Sequence, residues 1–357
     1  MGNQTEWSER KIEQFQSAII DWFNHEGRHD LPWRTTRDPY AVLVSELMLQ
    51  QTQVATVLNR GFFENWLSKF PNVETLASAD EDEILKAWEG LGYYNRARNL
   101  QKAAKEIVEN HGGRFPEELE GILALPGVGR YTAGAVYSCA FEKSAPVVDG
   151  NVVRVFSRIF GSIAPVDTTV GQKQMWAWAE ELVPESNARE FNSGLMELGQ
   201  RICRKSNPAC DDCVVRVHCI ASRQKMNLDE LPVKKNRQKI VAKTERVVFL
   251  KDGNRVFLTQ ESGKRRTGLW RLPEFDHESV GKMPEIFRMK YGITKYRVDL
   301  LIFRGSDLEA AKLVEGDGQW FSVPDESDAC AMAAPYRKAL TRLLENEFTE
   351  NNWELKG

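Results

Sequence analysis

The chain has 357 residues, 42% of them hydrophobic and 28% charged, with a net charge of −3. That balance fits two globular domains with proper cores, and no apolar run reaches the roughly 18 residues that a membrane-spanning helix needs. The start, MGNQTEWSERK, is too polar for a secretory signal. Four of the six cysteines crowd between Cys203 and Cys219, which excludes a disulfide-stapled secreted fold. Global charge does not announce a nucleic-acid partner, although a local basic strip would suffice for one.

From the N-terminus to about residue 222 the pattern is helix after helix. Ile12, Phe15, Ile19, Ile20 and Phe23 stand at helical spacing between Glu9 and Asn24. Asp38-Pro39 is a start signal, an N-cap acid followed by proline in the first turn. The helix it opens carries Val42, Leu43, Leu47 and Met48. Further helices fit Glu81 to Glu89, Tyr94 to Glu109, Pro116 to Leu123, Tyr131 to Phe141, Asn151 to Phe160 and Gln172 to Leu182. The stretch from Lys225 to Arg246 holds seven basic and three acidic residues and reads as a linker, either simply solvated or lying over a charged partner. Beyond it the period becomes two, with strands at Arg246–Leu250, Arg255–Thr259, Gly268–Leu272, Arg297–Phe303 and Gln319–Val323. Helices fit Met283 to Tyr291 and Tyr336 to Phe348. The organisation expected is an all-α domain at 1–222, a basic linker at 223–245 and a small α+β domain at 246–357.

Three groups of residues carry chemistry. Cys203, Cys210, Cys213 and Cys219 have the spacing C-x6-C-x2-C-x5-C, a metal site in either of two forms: four-cysteine zinc or a [4Fe–4S] cluster. Cys139 and Cys330 read as small buried hydrophobes. The string Leu125-Pro126-Gly127-Val128-Gly129-Arg130-Tyr131-Thr132-Ala133-Gly134 joins two helices. Its glycines permit a tight hairpin whose backbone N–H groups suit a phosphate at a helix N-terminus. Glu46 sits inside an apolar helix, where a desolvated carboxyl holds its proton near neutral pH and can act as a general acid. Asp149 precedes the helix that starts near Asn151, where the dipole favours the ionised form. One protonated and one charged carboxyl suit glycosidic cleavage through an oxocarbenium-like state. Taken singly, Asp149 reads first as an ordinary N-cap, and Glu46 as a paired core carboxylate.

These motifs, with Gly90-Leu91-Gly92-Tyr93-Tyr94 and Val148-Asp149-Gly150-Asn151-Val152, occur in one order. Together they resemble the MutY-type adenine DNA glycosylases of the helix-hairpin-helix (endonuclease III) superfamily, densely across residues 10–222. The resemblance implies a mainly α glycosylase domain with a [4Fe–4S] cluster in the 203–219 loop, followed by a Nudix-like domain matched through Gly268-Leu269-Trp270. It implies base excision repair of adenine opposite 8-oxoguanine or guanine, on double-stranded DNA, by a cytoplasmic bacterial monomer working at the nucleoid. Glu46 would protonate adenine N7 and Asp149 would stabilise or capture the sugar cation, with Asn151 and Tyr131 in support. Gln51 and Tyr93 would wedge the duplex, and Gly127, Gly129 and Arg130 would grip its backbone. Trp33, Ser193 and His29 would border the base.

Endonuclease III-like relatives place a lysine where this chain has Tyr131, and that amine is needed for strand cleavage through a Schiff base. Release of the base without strand cleavage is expected. The Phe-Ser-His triplet of such enzymes is missing, and the aligned place reads Ile293-Thr294-Lys295-Tyr296. Ser193 and His29 also depart from the family pattern. A glycosylase acting on another mispair or damaged base, or a non-catalytic lesion-binding protein, are the competing readings.

Overall fold

The computed structural model describes residues 7–235, 239–263, 266–275, 283–305 and 318–350. The chain divides into two compact units, Met1–Ala77 with Asn99–Arg237 and Ser78–Arg98 with Gln238–Gly357. The second unit therefore takes a segment from within the span that the sequence assigns to the helical domain.

The first unit begins with α1 (Glu9–Glu26), whose Phe15, Ile19 and Phe23 form one buried stripe. Proline at N1 and an Asp38 carboxylate accepting the Tyr40 N–H at 3.0 Å start α2 (Pro39–Leu49). Every residue of α2 from Tyr40 to Met48 is buried, so it is a core helix rather than an amphipathic surface one. Three short helices follow, α3 (Val54–Asn59), α4 (Phe62–Lys69) and α5 (Val73–Ser78). In chain order α6 (Glu81–Ala87) and the start of α7 (Asn95–His111) come next; α6 belongs to the second unit, and the boundary between units falls inside α7. The first unit resumes with α8 (Leu119–Ala124), α9 (Arg130–Ala140), α10 (Gly150–Ile159), α11 (Thr169–Leu182) and α12 (Ala188–Arg201), then α13 (Ile220–Arg223) behind the cysteine loop. Phe15, Ile19, Val155, Phe156, Phe191, Leu195 and Leu198 share one core, which joins α1, α10 and α12. Truncating one such side chain to alanine costs about 2–5 kcal/mol.

α3, α4, α5 and α12 are absent from the helices read off the sequence. α12 contains Asn192, Ser193, Gly194 and Gly199, which blunt its helical propensity, although Phe191, Leu195 and Leu198 do keep helical spacing. Its Gly199 lies so close to α10 that a Cβ there would stand 2.6 Å from the Asn151 Cβ.

The second unit holds two sheets. In one, β1 (Val241–Phe249) runs parallel to β6 (Tyr296–Arg304), which pairs antiparallel with β5 (Glu285–Ile293). In the other, β3 (Arg255–Gln260) is flanked by β2 (Lys251–Asp252), β4 (Trp270–Arg271) and β7 (Gly318–Ser322). Two helices close it, α14 (Asp325–Ala329) and α15 (Ala334–Glu350). Residues 78–98 are tied in by polar contacts: Arg337 grips Glu89 with Nε–Oε1 at 2.7 Å, and the Tyr94 hydroxyl donates to the Met332 carbonyl at 3.2 Å.

Three sequence expectations need correction here. Residues 283–291 are not a helix: Phe287, Met289, Tyr291 and Ile293 alternate with exposed neighbours and make β5, a period of two rather than 3.6. The linker is shorter than 223–245. Its first part packs back onto the helical unit, Val166 N–H donating to the Val233 carbonyl at 2.9 Å and Lys235 N–H to Asp167 at 2.7 Å. Its last part is already β1, because Glu245 is buried and accepts from Tyr336 at 2.9 Å and Lys243 at 2.8 Å. Residues 236–238 of the linker lie outside the described residues. Third, the all-α domain expected over 1–222 is not one uninterrupted stretch, since 78–98 group with the sheets.

The helix contact at Gly199 generates a prediction. Gly199→Val should overpack the α10–α12 junction and cost about 1–3 kcal/mol, seen as a lower thermal unfolding midpoint. An unchanged midpoint would show that the two backbones do not need this approach.

Candidate active site

A cavity of about 810 Å3 opens in the first unit, lined from α2, α9, α10 and α12. Glu46 reaches it from α2 and is only 8% exposed. The Tyr131 hydroxyl, from the first turn of α9, donates to Glu46 Oε2 at 2.6 Å. Burial raises the Glu46 carboxyl to about 7; the Tyr131 hydrogen bond and the Arg34 charge oppose the rise, and Asp149 adds to it. Burial also pushes the Tyr131 phenol well above its ordinary value, so it stays a donor.

Asp149 caps α10. Its Oδ1 accepts from the N–H groups of Asn151 at 2.9 Å and Val152 at 2.7 Å, and Oδ2 accepts from Asn151 Nδ2 at 2.7 Å. Arg154 Nη2 in turn donates to Asn151 Oδ1 at 3.0 Å and fixes that amide. The sequence reading held Asp149 to be favoured as the anion by its helix. The cap supplies that pull through three hydrogen bonds, while burial acts the other way and leaves the carboxyl above its ordinary value. Cap and cavity wall are the same residue.

Trp33, Ser193, Gln51 and Asn151 all border the cavity with Glu46, Tyr131 and Asp149. His29 does not. Its Nε2 donates to the Phe23 carbonyl at 2.8 Å and its ring lies edge-on to Phe23, while the neighbouring Arg28 lines the cavity instead. Gln51, just past the end of α2, has φ 57°, and Tyr93, in the second unit, has φ 50° and is 45% exposed. Non-glycine residues at positive φ are uncommon and concentrate at functional positions.

In the hairpin only Gly127 needs to be glycine for its backbone, at φ 76°; a Cβ there would also meet Asn99 at 2.4 Å. Gly129 has ordinary φ of −97° and is the N-cap of α9, with open space where a side chain would be. Arg130 stacks on Trp176 at 3.9 Å and pairs with Glu180, so its charge already has a partner.

Sequence reasoning missed the cationic wall. Glu197 is fully buried and accepts from Arg28 at 2.8 Å, from Arg201 at 3.3 Å and from Arg34. Burial pushes its carboxyl up, but these guanidiniums hold it below the ordinary range. No local signal announced it: with 3.6 residues per turn, Glu197 stands well off the apolar Phe191, Leu195 and Leu198 stripe of its helix. Cys139 also borders the cavity, its thiol pushed up to about 12 by burial and therefore neutral.

The four clustered cysteines form no disulfide and line one small void of about 30 Å3 between α10, α12 and the following loop. Among the described residues no three or more His, Cys, Asp or Glu side chains already form a metal-binding group. The surroundings nonetheless fit a negatively charged four-thiolate group. The buried Arg158 donates to Cys203 Sγ at 3.3 Å, and its Nε has no protein partner.

Residues 44–181 match the family described as HhH-GPD superfamily base excision DNA repair protein. The adenine DNA glycosylase of Buchnera aphidicola subsp. Schizaphis graminum is 36% identical over 266 residues, which span 73% of this chain and 75% of the relative. Human adenine DNA glycosylase is 43% identical over 230 residues, 62% of this chain and 41% of that longer protein. The solved structure of a thermostable thymine-DNA glycosylase superposes with a TM-score of 0.55 at 36% identity, covering 60% of this chain and 98% of the other. The chain belongs to the adenine DNA glycosylase family within the HhH-GPD superfamily.

The raised Glu46 carboxyl predicts a pH-dependent stability. Its protonated form is favoured in the fold, so stability is fully present below pH 4.5 and lost as pH rises through about 7. A shift of that size corresponds to about 3 kcal/mol. Glu46→Gln should therefore raise resistance to urea at pH 8 by an amount of that order and leave it unchanged at pH 4. Equal effects at both pH values would show that the carboxyl is not perturbed.

Proposed function

We propose that this chain is a monofunctional DNA glycosylase that removes adenine mispaired with 8-oxoguanine or guanine. The observation that carries the reading is the Tyr131–Glu46 hydrogen bond in a cavity that also holds Asp149. A carboxyl with its proton held to about pH 7 is a general acid for the ring nitrogen of a flipped-out base. Protonated at N7, adenine leaves with the electrons of its glycosidic bond. The sugar cation left behind is met by Asp149, whose oxygens are held in place by Asn151 and the first N–H groups of α10. Water then completes the abasic site, Glu46 as carboxylate taking its proton.

The Gly127–Gly129 hairpin supplies N–H groups at the start of α9 for a DNA phosphate. Gln51 and Tyr93, both at positive φ, are suited to wedging a duplex. The four cysteines would hold a [4Fe–4S] cluster, whose chemistry here is to organise the loop 203–219, since metal binding and folding free energy are linked. The sheets of the second unit support the Nudix-like reading, in which the two-residue β5–β6 turn at Thr294-Lys295 would stand where relatives carry Phe-Ser-His.

A second reading has one specific observation behind it, the 36% identity to a thymine-DNA glycosylase structure. Single-turnover base release on A:8-oxoguanine, A:G and T:G duplexes separates the two. Adenine release fastest opposite 8-oxoguanine supports the first; thymine release from T:G with no adenine release replaces it. Glu46→Gln should slow release on the preferred duplex by at least about 100-fold with DNA affinity retained. Activity within tenfold of wild type would remove Glu46 from the acid role.

No lysine lines the cavity among the described residues, and Tyr131 offers no amine. Borohydride added during turnover should therefore trap no covalent enzyme–DNA adduct, and strands should break only after alkali. Stoichiometric trapping would overturn the monofunctional assignment.

A further inference from the structure

Arg158, on α10, is 1% exposed, and it lines the void shared by Cys203, Cys210, Cys213 and Cys219. Its guanidinium is spread over one side of the cysteine loop. Nη1 donates to Cys203 Sγ at 3.3 Å and to the Arg204 carbonyl at 2.7 Å. Nη2 donates to the carbonyls of Lys205 at 3.1 Å and Leu228 at 2.8 Å. Cys219 Sγ lies 3.4 Å from the Arg158 main-chain carbonyl. Every acceptor named is a carbonyl or a sulfur, none a carboxylate, and Nε is buried with no partner at all.

A permanently charged side chain taken out of water needs an anion nearby. Here a spare donor and an uncompensated cation face four cysteines. Four thiolates around a metal centre carry the opposite excess, and hydrogen bonds to the sulfurs with net charge nearby are what set the potential of such a centre.

We infer that Arg158 is the positioning residue that balances the charge of the four-cysteine site, holding the reduction potential of its iron–sulfur group up and protecting that group from oxidation and loss. The inference rests on the iron–sulfur reading given above. A residue that only clasps loop carbonyls would change how much protein folds. It would leave the potential of the loaded protein where it was.

The test uses the full chain as wild type, Arg158→Gln and Arg158→Lys. Iron and acid-labile sulfide per chain are measured first, then midpoint potential by voltammetry and the rate of metal loss to a chelator under mild oxidant. Wild type should contain iron and sulfide. Arg158→Gln should shift the potential downward and lose metal about tenfold faster, and Arg158→Lys should recover most of the shift by restoring the charge. Zinc without iron or sulfide in wild type would overturn the iron–sulfur reading and the inference with it. A loaded wild type beside a loaded Arg158→Gln of unchanged potential and unchanged metal loss would overturn the inference alone. If Arg158→Gln fails to load, Arg158→Lys decides: with the charge restored it should load iron and sulfide and keep a potential close to that of wild type, and a lysine variant that also fails to load rejects the charge-balancing role.

Discussion

A carboxyl group kept out of water inside α2 is the constraint on which the rest of the first unit turns. Glu46 has buried neighbours on all sides of its helix, and burial is the largest influence on its proton. Such a group is costly unless it is neutral or well hydrogen-bonded. Tyr131 supplies one bond, and α9 must therefore begin where the hairpin ends, with Gly127 turning the chain and Gly129 capping the helix. α10 must bring Asp149 to the same cavity, and α12 supplies another of its walls through Arg189, Ser193 and Met196. The architecture is arranged around one proton.

The positive wall of the cavity answers the same electrostatic problem from the other direction. Arg34 is the one guanidinium that pulls Glu46 toward the ionised state, and it is the weakest of the four influences on that proton. Glu197 is the carboxylate with which Arg28 and Arg34 pair, accepting from both while fully buried. Its carboxyl is held anionic and Glu46 is not. Two glutamates in one small region thus keep opposite charge states because one is given guanidinium partners and the other a phenol. Environment, not residue type, divides the roles.

The carboxyls, the hairpin and the cysteine loop were legible in the sequence because each depends on local order: a cap before a helix, glycines in a turn, sulfurs at short spacing. Helical periodicity recovered α1, α2 and α9 to α11 for the same reason. What stayed hidden was long-range. Glu197 and Arg28 stand 169 positions apart, and nothing near either residue announces the pairing. His29 stands next to the cavity in sequence but bonds to the Phe23 carbonyl instead, while Arg28 lines the cavity. β5 was misread because its apolar residues satisfy both periods, and only pairing with β6 selects the strand. The extent of the linker could not be read either, since burial of Glu245 depends on tyrosines 46 and 91 positions downstream.

The division of the chain has a consequence for how the protein can be taken apart. Residues 78–98 belong with the C-terminal sheets, tied there by Arg337 on Glu89 and by Tyr94 on Met332. The catalytic unit is consequently not a contiguous gene segment, and the C-terminal unit is not an appendage that a stop codon can delete cleanly. A chain ended near residue 237 would leave Trp88, Leu91 and Tyr94, all buried in the intact protein, in a segment stripped of its polar partners. Tyr93 sits in the midst of that segment. Loss of activity in such a fragment would report a damaged segment as readily as a missing domain.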